Sequence, residues 1–438
     1  WPQFAPEQIA AMRGQPYAEI AFQVMRPYVG GTIPDDALRA MINEAYGTFA
    51  HASVAPLVQI GPSDWLMELF HGPTLAFKDV AMQLLSRMMD RALVNRGQRA
   101  TVVVATSGDT GGAAVDGFAG RDAIDLFVLF PRGRVSDVQR RQMTTRGAGN
   151  VHAIAVEGTF DDCQAIVKAL FNDQPTRDAL ALSGVNSINW ARVMAQSVYY
   201  FSTGAALGAP DVAAHYCVPT ANFGDILAGY VAKRMGLPMG RLIIAANTND
   251  ILARALETGA YEVTGVIPTQ TPSMDIQVSS NFERLIFEAS DRDAGLVRTL
   301  MADLKAGNGF TLPGEVLERI LSEFDAGRCH EAETTAQITR TYRETGEVLD
   351  PHTAVGVHVA EKLKERGDLA RGPMVTLATA HPAKFPAAVE AAIGQPPQLP
   401  VRVGDLHARP EAFAVLDNDY SAVRDHLFQT SRACNMAQ

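Results

Sequence analysis

Cysteine is scarce in this chain: Cys163, Cys217, Cys329 and Cys434 are the only four in 438 residues, and no two form a Cys-x-x-Cys pair. That spacing argues against a disulfide framework and against a structural zinc site, so no metal is expected, and it suits a reducing cytoplasm. Positive charge is short as well. With 38 basic and 48 acidic side chains the formal charge is -10. A nucleic-acid surface calls for a basic stripe, so no nucleic-acid partner is expected. No apolar run approaches the roughly 20 residues of a membrane span, so no membrane partner is expected. No cationic, apolar signal peptide is visible. The first residue is Trp1 and not methionine, which leaves room for a native segment ahead of it. Common catalytic signatures are also missing. There is no G-x-x-x-x-G-K-[ST], no G-x-G-x-x-G after a strand, no H-E-x-x-H around His330-Glu331 and no G-x-S-x-G. Those absences remove Walker-type, dinucleotide, zinc-protease and hydrolase-elbow chemistry.

What is present is an ordinary globular composition, 47% hydrophobic and 20% charged, long enough for two or three domains. Residues 1–50 read as short helices: Ile20, Ala21, Val24 and Met25 recur at helical spacing, and Pro34-Asp35-Asp36 opens the next helix. Leu57–Ile60 and Leu66–Phe70 look like strands, and a helix follows over Asp79–Asn95. Strands at Thr101–Ala105, Leu126–Phe130 and Val151–Val156 then alternate with helices. The alternation resumes with the helix Trp190–Ala206, the strands Ala214–Pro219 and Arg241–Ala246, the helix Thr353–Arg366 and a last clear strand, Met374–Ala380. Such alternation implies right-handed β-α-β units and mostly parallel sheets. The expected class is α/β, with two entangled lobes of parallel or mixed sheet plus a helical N-terminal domain. The boundaries read as 1–50 for that domain, 51–97 with 186–438 for a large lobe, and 98–185 for a small one. An amphipathic helical insertion is expected over about 291–333.

Ligands of such sheets bind where strands end and helices begin. In His71-Gly72-Pro73-Thr74-Leu75-Ala76-Phe77-Lys78-Asp79 a lysine follows an apolar triplet. Taken alone, this is a packed stem with its ammonium in water. Held among apolar groups, the same lysine would lose its proton readily, as an amine that attacks a carbonyl must. Ser107-Gly108-Asp109-Thr110 lies at a strand-to-helix turn and offers hydroxyls and unpaired N–H groups to an anion; an ordinary helix cap by Ser107 or Asp109 is the plainer reading. Ala221-Asn222-Phe223-Gly224-Asp225 forms a second such turn, suited to a nest around a phosphate. Ser187, Asn189 and Arg192 stand at the start of another helix, where Arg192 could reach an anion or simply lie on the surface. Thr379 ends the last strand. Two anion cradles and one lysine make a constellation.

The stretch Leu69–Asp79 resembles the cofactor-lysine motif of threonine synthases, and Ala105–Gly111 resembles that family's substrate loop. Asn186–Arg192, Pro272–Ile276, Ser279–Arg284 and Thr379–Phe385 match in the family's order. The resemblance is to the longer branch, which carries an extra helical N-terminal domain. It implies the tryptophan-synthase-β-like fold (fold type II) of pyridoxal-phosphate enzymes. Lys78 would bind the cofactor aldehyde, Ala221 to Asp225 its phosphate, and Thr379 its ring nitrogen. Ser107, Gly108, Asp109 and Thr110 would take the substrate's carboxylate, and Arg192, with Ser187 and Asn189 near it, its phosphate. The reaction would turn O-phospho-L-homoserine and water into L-threonine and phosphate, carried out by a cytoplasmic monomer or homodimer. Alternatives are a serine/threonine dehydratase, a phospholyase that stops at 2-oxobutyrate, or a cofactor-poor binding homologue. One position departs from the family: Ala221 stands where glycine is usual. If that site needs φ > 0, alanine costs about 1 kcal/mol or more, and Ala221→Gly would tighten cofactor binding.

Overall fold

The computed structural model describes residues 1–433 except residue 368; Cys434 lies outside the described residues. The chain forms two compact units. The first takes Trp1–Leu38, His51–His71 and Arg192–Pro397, and the second takes Arg39–Ala50, Gly72–Ala191 and the residues from Gln398 on.

The first unit is built on a six-stranded sheet in the order Leu57–Gln59, Asp64–Glu68, Met374–Ala378, Ala214–Pro219, Met239–Ala246, Phe324–Arg328. Leu57–Gln59 runs antiparallel to its neighbour and the remaining pairs are parallel. The inner strands are buried on both faces, which is why Leu242-Ile243-Ile244-Ala245 is a continuous apolar run. Each leucine or isoleucine of that run contributes about 1.5–3 kcal/mol when fully buried. Because Met374–Ala378 and Ala214–Pro219 are parallel neighbours, the residues that leave their carboxyl ends, Thr379 and the 220–224 turn, emerge on the same edge of the sheet.

The second unit holds a five-stranded, all-parallel sheet in the order Ala414–Asp417, Val151–Glu157, Ile124–Pro131, Ala100–Ala105, Leu182–Ser183. The loop at residues 106–108 leaves the carboxyl end of Ala100–Ala105 and enters the helix Asp109–Phe118.

Several boundaries differ from the sequence expectation. Residues 72–97, which include Lys78, and residues 186–191 were expected in the large lobe but belong to the second unit. The first fifty residues are helical but do not form a unit of their own. Tyr17, Ile20, Val24 and Met25 are buried, Phe4 meets Phe201 edge-to-face at 5.3 Å, and Phe4 N–H donates to the Met235 carbonyl, all within the first unit. Glu44, by contrast, pairs with Arg87 and Arg121 at 3.1 and 2.8 Å within the second. The stretch 291–333 contains the helices Ala294–Lys305 and Gly314–Leu321, but its end, Phe324–Arg328, is an edge strand. Phe-Asp-Ala-Gly-Arg has little strand character, and its ladder bonds come from Met239–Ala246. The residues from 398 on, expected in the large lobe, belong to the second unit. Ala414–Asp417 pairs with Val151–Glu157, and Val423 and Leu427 of the helix Tyr420–Thr430 pack with Phe127, Ile154 and Ile166. Arg432 reaches the buried Asp125 at 2.7 Å.

Candidate active site

In the second unit the lysine loop is held by its own aspartate. Asp79 is fully buried and accepts from the Thr74 N–H (2.8 Å) and the Thr74 hydroxyl (2.6 Å). Gly72 lies so close that a Cβ there would stand 2.4 Å from Asp79 Cβ. Leu75 adopts φ 64°, a left-handed conformation that costs a side-chain-bearing residue about 1–2 kcal/mol. The tight chain path places Lys78 at the first position of the helix Lys78–Asn95.

Lys78 is largely covered, with 11% of its side chain exposed. Its Nζ lies 3.4 Å from Asp109 Oδ2 and 4.6 Å from the Phe77 ring centre. The expected surroundings were purely apolar. The observed ones are a carboxylate and a ring face, and both suit an ammonium. Asp109, awkward in an anion cradle when read from sequence, meets the lysine amine on one oxygen and the Gln139 amide on the other (2.9 Å).

The loop 107–110 does not lead into an ordinary capped helix. The N-cap of Asp109–Phe118 is Gly108, at φ 137°, and no side chain caps the helix. A Cβ at Gly108 would stand 2.4 Å from the Gln139 side chain. The Thr106 hydroxyl accepts from the Gly108 and Gly111 N–H groups, both at 2.9 Å, so those two donors are engaged inside the loop. Among the described residues, the hydroxyls of Ser107 and Thr110 have no hydrogen-bond partner, and helix geometry leaves the first N–H groups of the helix without intrahelical acceptors. Asn189 accepts from the Ala191 N–H at 3.0 Å and so caps the helix Trp190–Ala206. Ser187 precedes it.

In the first unit the turn after Ala214–Pro219 opens the helix Gly224–Arg234. Its carbonyls are engaged from the segment 279–281: the Ser279 hydroxyl donates to the Ala221 carbonyl at 2.6 Å and the Asn281 amide to the Asn222 carbonyl at 2.9 Å. The Ser280 hydroxyl donates to the Asn222 side chain at 3.1 Å. With the carbonyls held, the helix N-terminus offers N–H groups and a positive dipole end, the set a phosphate monoester needs. The left-handed residue of this turn is Phe223 (φ 61°), and Ala221 is not among the positive-φ residues. The backbone penalty expected at Ala221 is therefore absent. Its methyl group packs instead on the core cluster of Cys217, Cys329 and Val355. We now expect Ala221→Gly to leave the cofactor dissociation constant unchanged within twofold and to lose about 0.5–1 kcal/mol of stability; cofactor titration and urea unfolding measure the two effects.

Behind the turn is a network that the sequence did not disclose. Tyr199 and Tyr200, both fully buried, donate to the Asp225 carboxylate, and Tyr200 also donates to the Asp225 carbonyl at 3.0 Å. Burial and the Asp225 charge push both phenols far above their ordinary range. Arg192 is buried and not on the surface. Burial lowers its guanidinium to about 10, with the charges of Tyr199 and Asp225 acting the other way, so it is cationic at neutral pH. Thr379 is 6% exposed, and among the described residues its hydroxyl has no protein partner. A covered hydroxyl left open in this way can donate to or accept from a bound molecule.

Other quoted motifs prove structural. Asp275 accepts from Asn247, Asn249 and Thr269 at 2.6–3.0 Å, knotting the Pro272–Ile276 segment. His71 pairs with Glu68 at 2.7 Å. Gln139 was missed because Ser136-x-x-Gln139 announces only a capping box, which it also forms.

Family models match along most of the chain: Threonine synthase N terminus over residues 1–46, Pyridoxal-phosphate dependent enzyme over 54–303, and Threonine synthase, C-terminal over 353–427. A threonine synthase of Pseudomonas aeruginosa is 49% identical over 429 residues, covering 98% of this chain and 91% of that one. Among solved structures, the PLP-bound threonine synthase from Brucella melitensis has a TM-score of 0.95 at 59% identity, with 99% of this chain and 92% of that chain covered. The yeast threonine synthase has a TM-score of 0.93 at 36% identity, with 98% and 91% covered. These relatives favour neither a dehydratase nor a cofactor-poor homologue. The chain belongs to the threonine synthase family of pyridoxal-phosphate-dependent, fold type II enzymes.

Proposed function

We propose the following division of labour for the family's reaction, in which O-phospho-L-homoserine and water give L-threonine and phosphate. Pyridoxal 5'-phosphate, when bound, supplies an electron sink for the negative charge that develops at the substrate's α-carbon. Lys78 binds the aldehyde and, as a free amine, takes the α-proton and later returns a proton. Asp109, 3.4 Å from Nζ, steadies the lysine while it carries the proton, and Gln139 keeps Asp109 in place. The Ser107 and Thr110 hydroxyls and the N–H groups at the start of Asp109–Phe118 take the α-carboxylate, with Gly108 giving the turn its path.

The turn Ala221, Asn222, Phe223, Gly224 and Asp225 holds the cofactor's phosphate at a helix N-terminus. Thr379 meets the ring nitrogen. A hydroxyl is a poor proton source, so Thr379 would leave that nitrogen unprotonated. Arg192 supplies positive charge for the leaving phosphate. It is stripped of water by burial, so its charge acts at a lower effective dielectric than on the surface. Asn189 sets the start of the Arg192 helix, and Ser187 adds a hydroxyl beside it. The acidic balance of the chain supports a small-molecule catalyst with no nucleic-acid partner; under this reading it works in the cytoplasm as a monomer or homodimer.

The observation that carries this reading is the pairing of Lys78 with Asp109, which brings the lysine motif and the substrate loop to one place. The test is to incubate the protein with O-phospho-L-homoserine and identify the products. Threonine with equimolar phosphate is the expected result; 2-oxobutyrate in place of threonine would overturn it.

A further inference from the structure

Cys329, Glu333 and His358 come together in the first unit and take no part in the reaction above. Cys329 follows the edge strand Phe324–Arg328, Glu333 lies in the first turn of the helix Glu331–Thr345, and His358 lies within the helix Pro351–Arg366. One ligand atom of each, sulfur, carboxylate oxygen and imidazole nitrogen, lies within 4.8 Å of the others. His358 Nε2 is 3.7 Å from Glu333 Oε1. In a tetrahedral site with bonds of about 2.0–2.3 Å, ligand atoms stand about 3.5 Å apart, so side-chain shifts of about 1 Å close the set around an ion.

The three groups are also prepared for it. Glu333 Oε2 accepts from the His330 N–H at 2.8 Å, which holds the carboxylate with Oε1 on the histidine side. Among the described residues the His358 ring makes no hydrogen bond. The Thr334 hydroxyl lies 3.3 Å from Cys329 Sγ and 3.1 Å from the His330 carbonyl, so it can turn from that carbonyl to donate to a thiolate. Cys329 and His358 are buried while Glu333 is exposed, which gives an ion a way in from solvent.

We propose that Cys329, Glu333 and His358 bind a divalent transition ion, zinc by preference, with a fourth position for water. Thiolate and imidazole select zinc or cobalt over magnesium or calcium, which favour oxygen donors. Without an ion, burial pushes the Cys329 thiol up to about 12, Thr334 acting the other way and Glu333 and Glu331 adding to the rise. Burial also holds the His358 imidazole below its usual range, against Glu333, and Lys362 and Arg340 lower it further. The resting site is thus a thiol beside a neutral imidazole. On binding, the S–H bond breaks, the S–metal bond forms and one proton leaves to solvent, while imidazole donates a lone pair and Glu333 a carboxylate oxygen. The dication is balanced by two anionic ligands. The ion ties the end of the edge strand to two helices, next to the core cluster on which Ala221 packs. No paired-ligand spacing announces these residues, which is why the cysteine pattern alone argued against a metal.

The experiment titrates the holoenzyme with cobalt(II), read by difference absorbance. The expected result is one equivalent bound, a thiolate-to-cobalt charge-transfer band in the near ultraviolet, release of one proton per ion, and displacement by zinc. Cys329→Ser and His358→Gln should abolish the band. Glu333→Gln changes an exposed residue and keeps an acceptor oxygen for the His330 N–H at the start of its helix; it should weaken cobalt binding at least about tenfold with threonine formation unchanged. The proposal is overturned by absence of the band in excess cobalt, by a band that survives Cys329→Ser, or by unchanged affinity in Glu333→Gln. The last variant decides the matter even where the cysteine variant fails to fold.

Discussion

Lys78→Ala should lower the rate of threonine formation by about ten-thousandfold or more, because it removes the cofactor's attachment point and the proton-transferring amine together. The fold should survive the change. The loop before Lys78 is shaped by Asp79 and Thr74, and Asp109 keeps its Gln139 partner. Borohydride reduction of the wild-type protein, followed by peptide mapping, should place the label on the peptide that contains residue 78, and the alanine variant should carry none there. Lys78→Arg separates charge from chemistry. It preserves a cation for Asp109, but a guanidinium does not lose its proton in a protein and cannot attack an aldehyde. Its activity should fall as far as that of the alanine variant. Retention of more than about a tenth of wild-type activity by Lys78→Arg would mean that the positive charge, and not the amine, is what the site uses.

Asp225→Ala should cost about 3–5 kcal/mol of stability, the largest loss expected from any single polar residue near the phosphate turn. Tyr199 and Tyr200 are fully buried and both donate to Asp225. Without it, the desolvated Tyr199 hydroxyl loses its acceptor, Tyr200 keeps only the backbone carbonyl of residue 225, and Arg192 loses a compensating charge. Asp225→Asn keeps an acceptor oxygen and should lose less, so the difference between the two variants reports the charge. Urea unfolding at saturating cofactor measures both. A loss below about 1 kcal/mol in the alanine variant would show that the tyrosines find another acceptor.

The candidate residues that were legible in the sequence lie in contiguous turns. The loop 107–110, the turn 221–225 and Thr379 each follow a strand, Lys78 opens a helix, and a strand followed by a helix can be read from its apolar run and its small residues. The supporting residues were not legible, because each acts through a contact distant in sequence. Gln139 fixes Asp109 from another helix. Tyr199 and Tyr200 look like core aromatics until Asp225 is placed beside them. At Ala221 the family's usual glycine drew the expectation of a left-handed backbone to the wrong residue; Phe223 adopts it. The strands Phe324–Arg328 and Ala414–Asp417 have little apolar alternation of their own and exist because a better strand lies alongside. The helix Trp190–Ala206 matched its predicted bounds, since a long periodic segment bounded by an Asn cap carries its own signal.

The order of the six-stranded sheet bears on how the chain is made. Asp64–Glu68 has Met374–Ala378 on its inner side, and that strand also joins it to Ala214–Pro219. A ribosome reaches residue 374 long after residue 68. At about 5–20 residues per second the interval is on the order of tens of seconds. During that time the ribbon Leu57–Glu68 is a two-stranded piece with an open edge, a form that is marginally stable at best in water. Completion of the sheet therefore waits on synthesis of Met374–Ala378, and the nascent first unit passes through a stage in which the strand that leads to Lys78 has no inner neighbour.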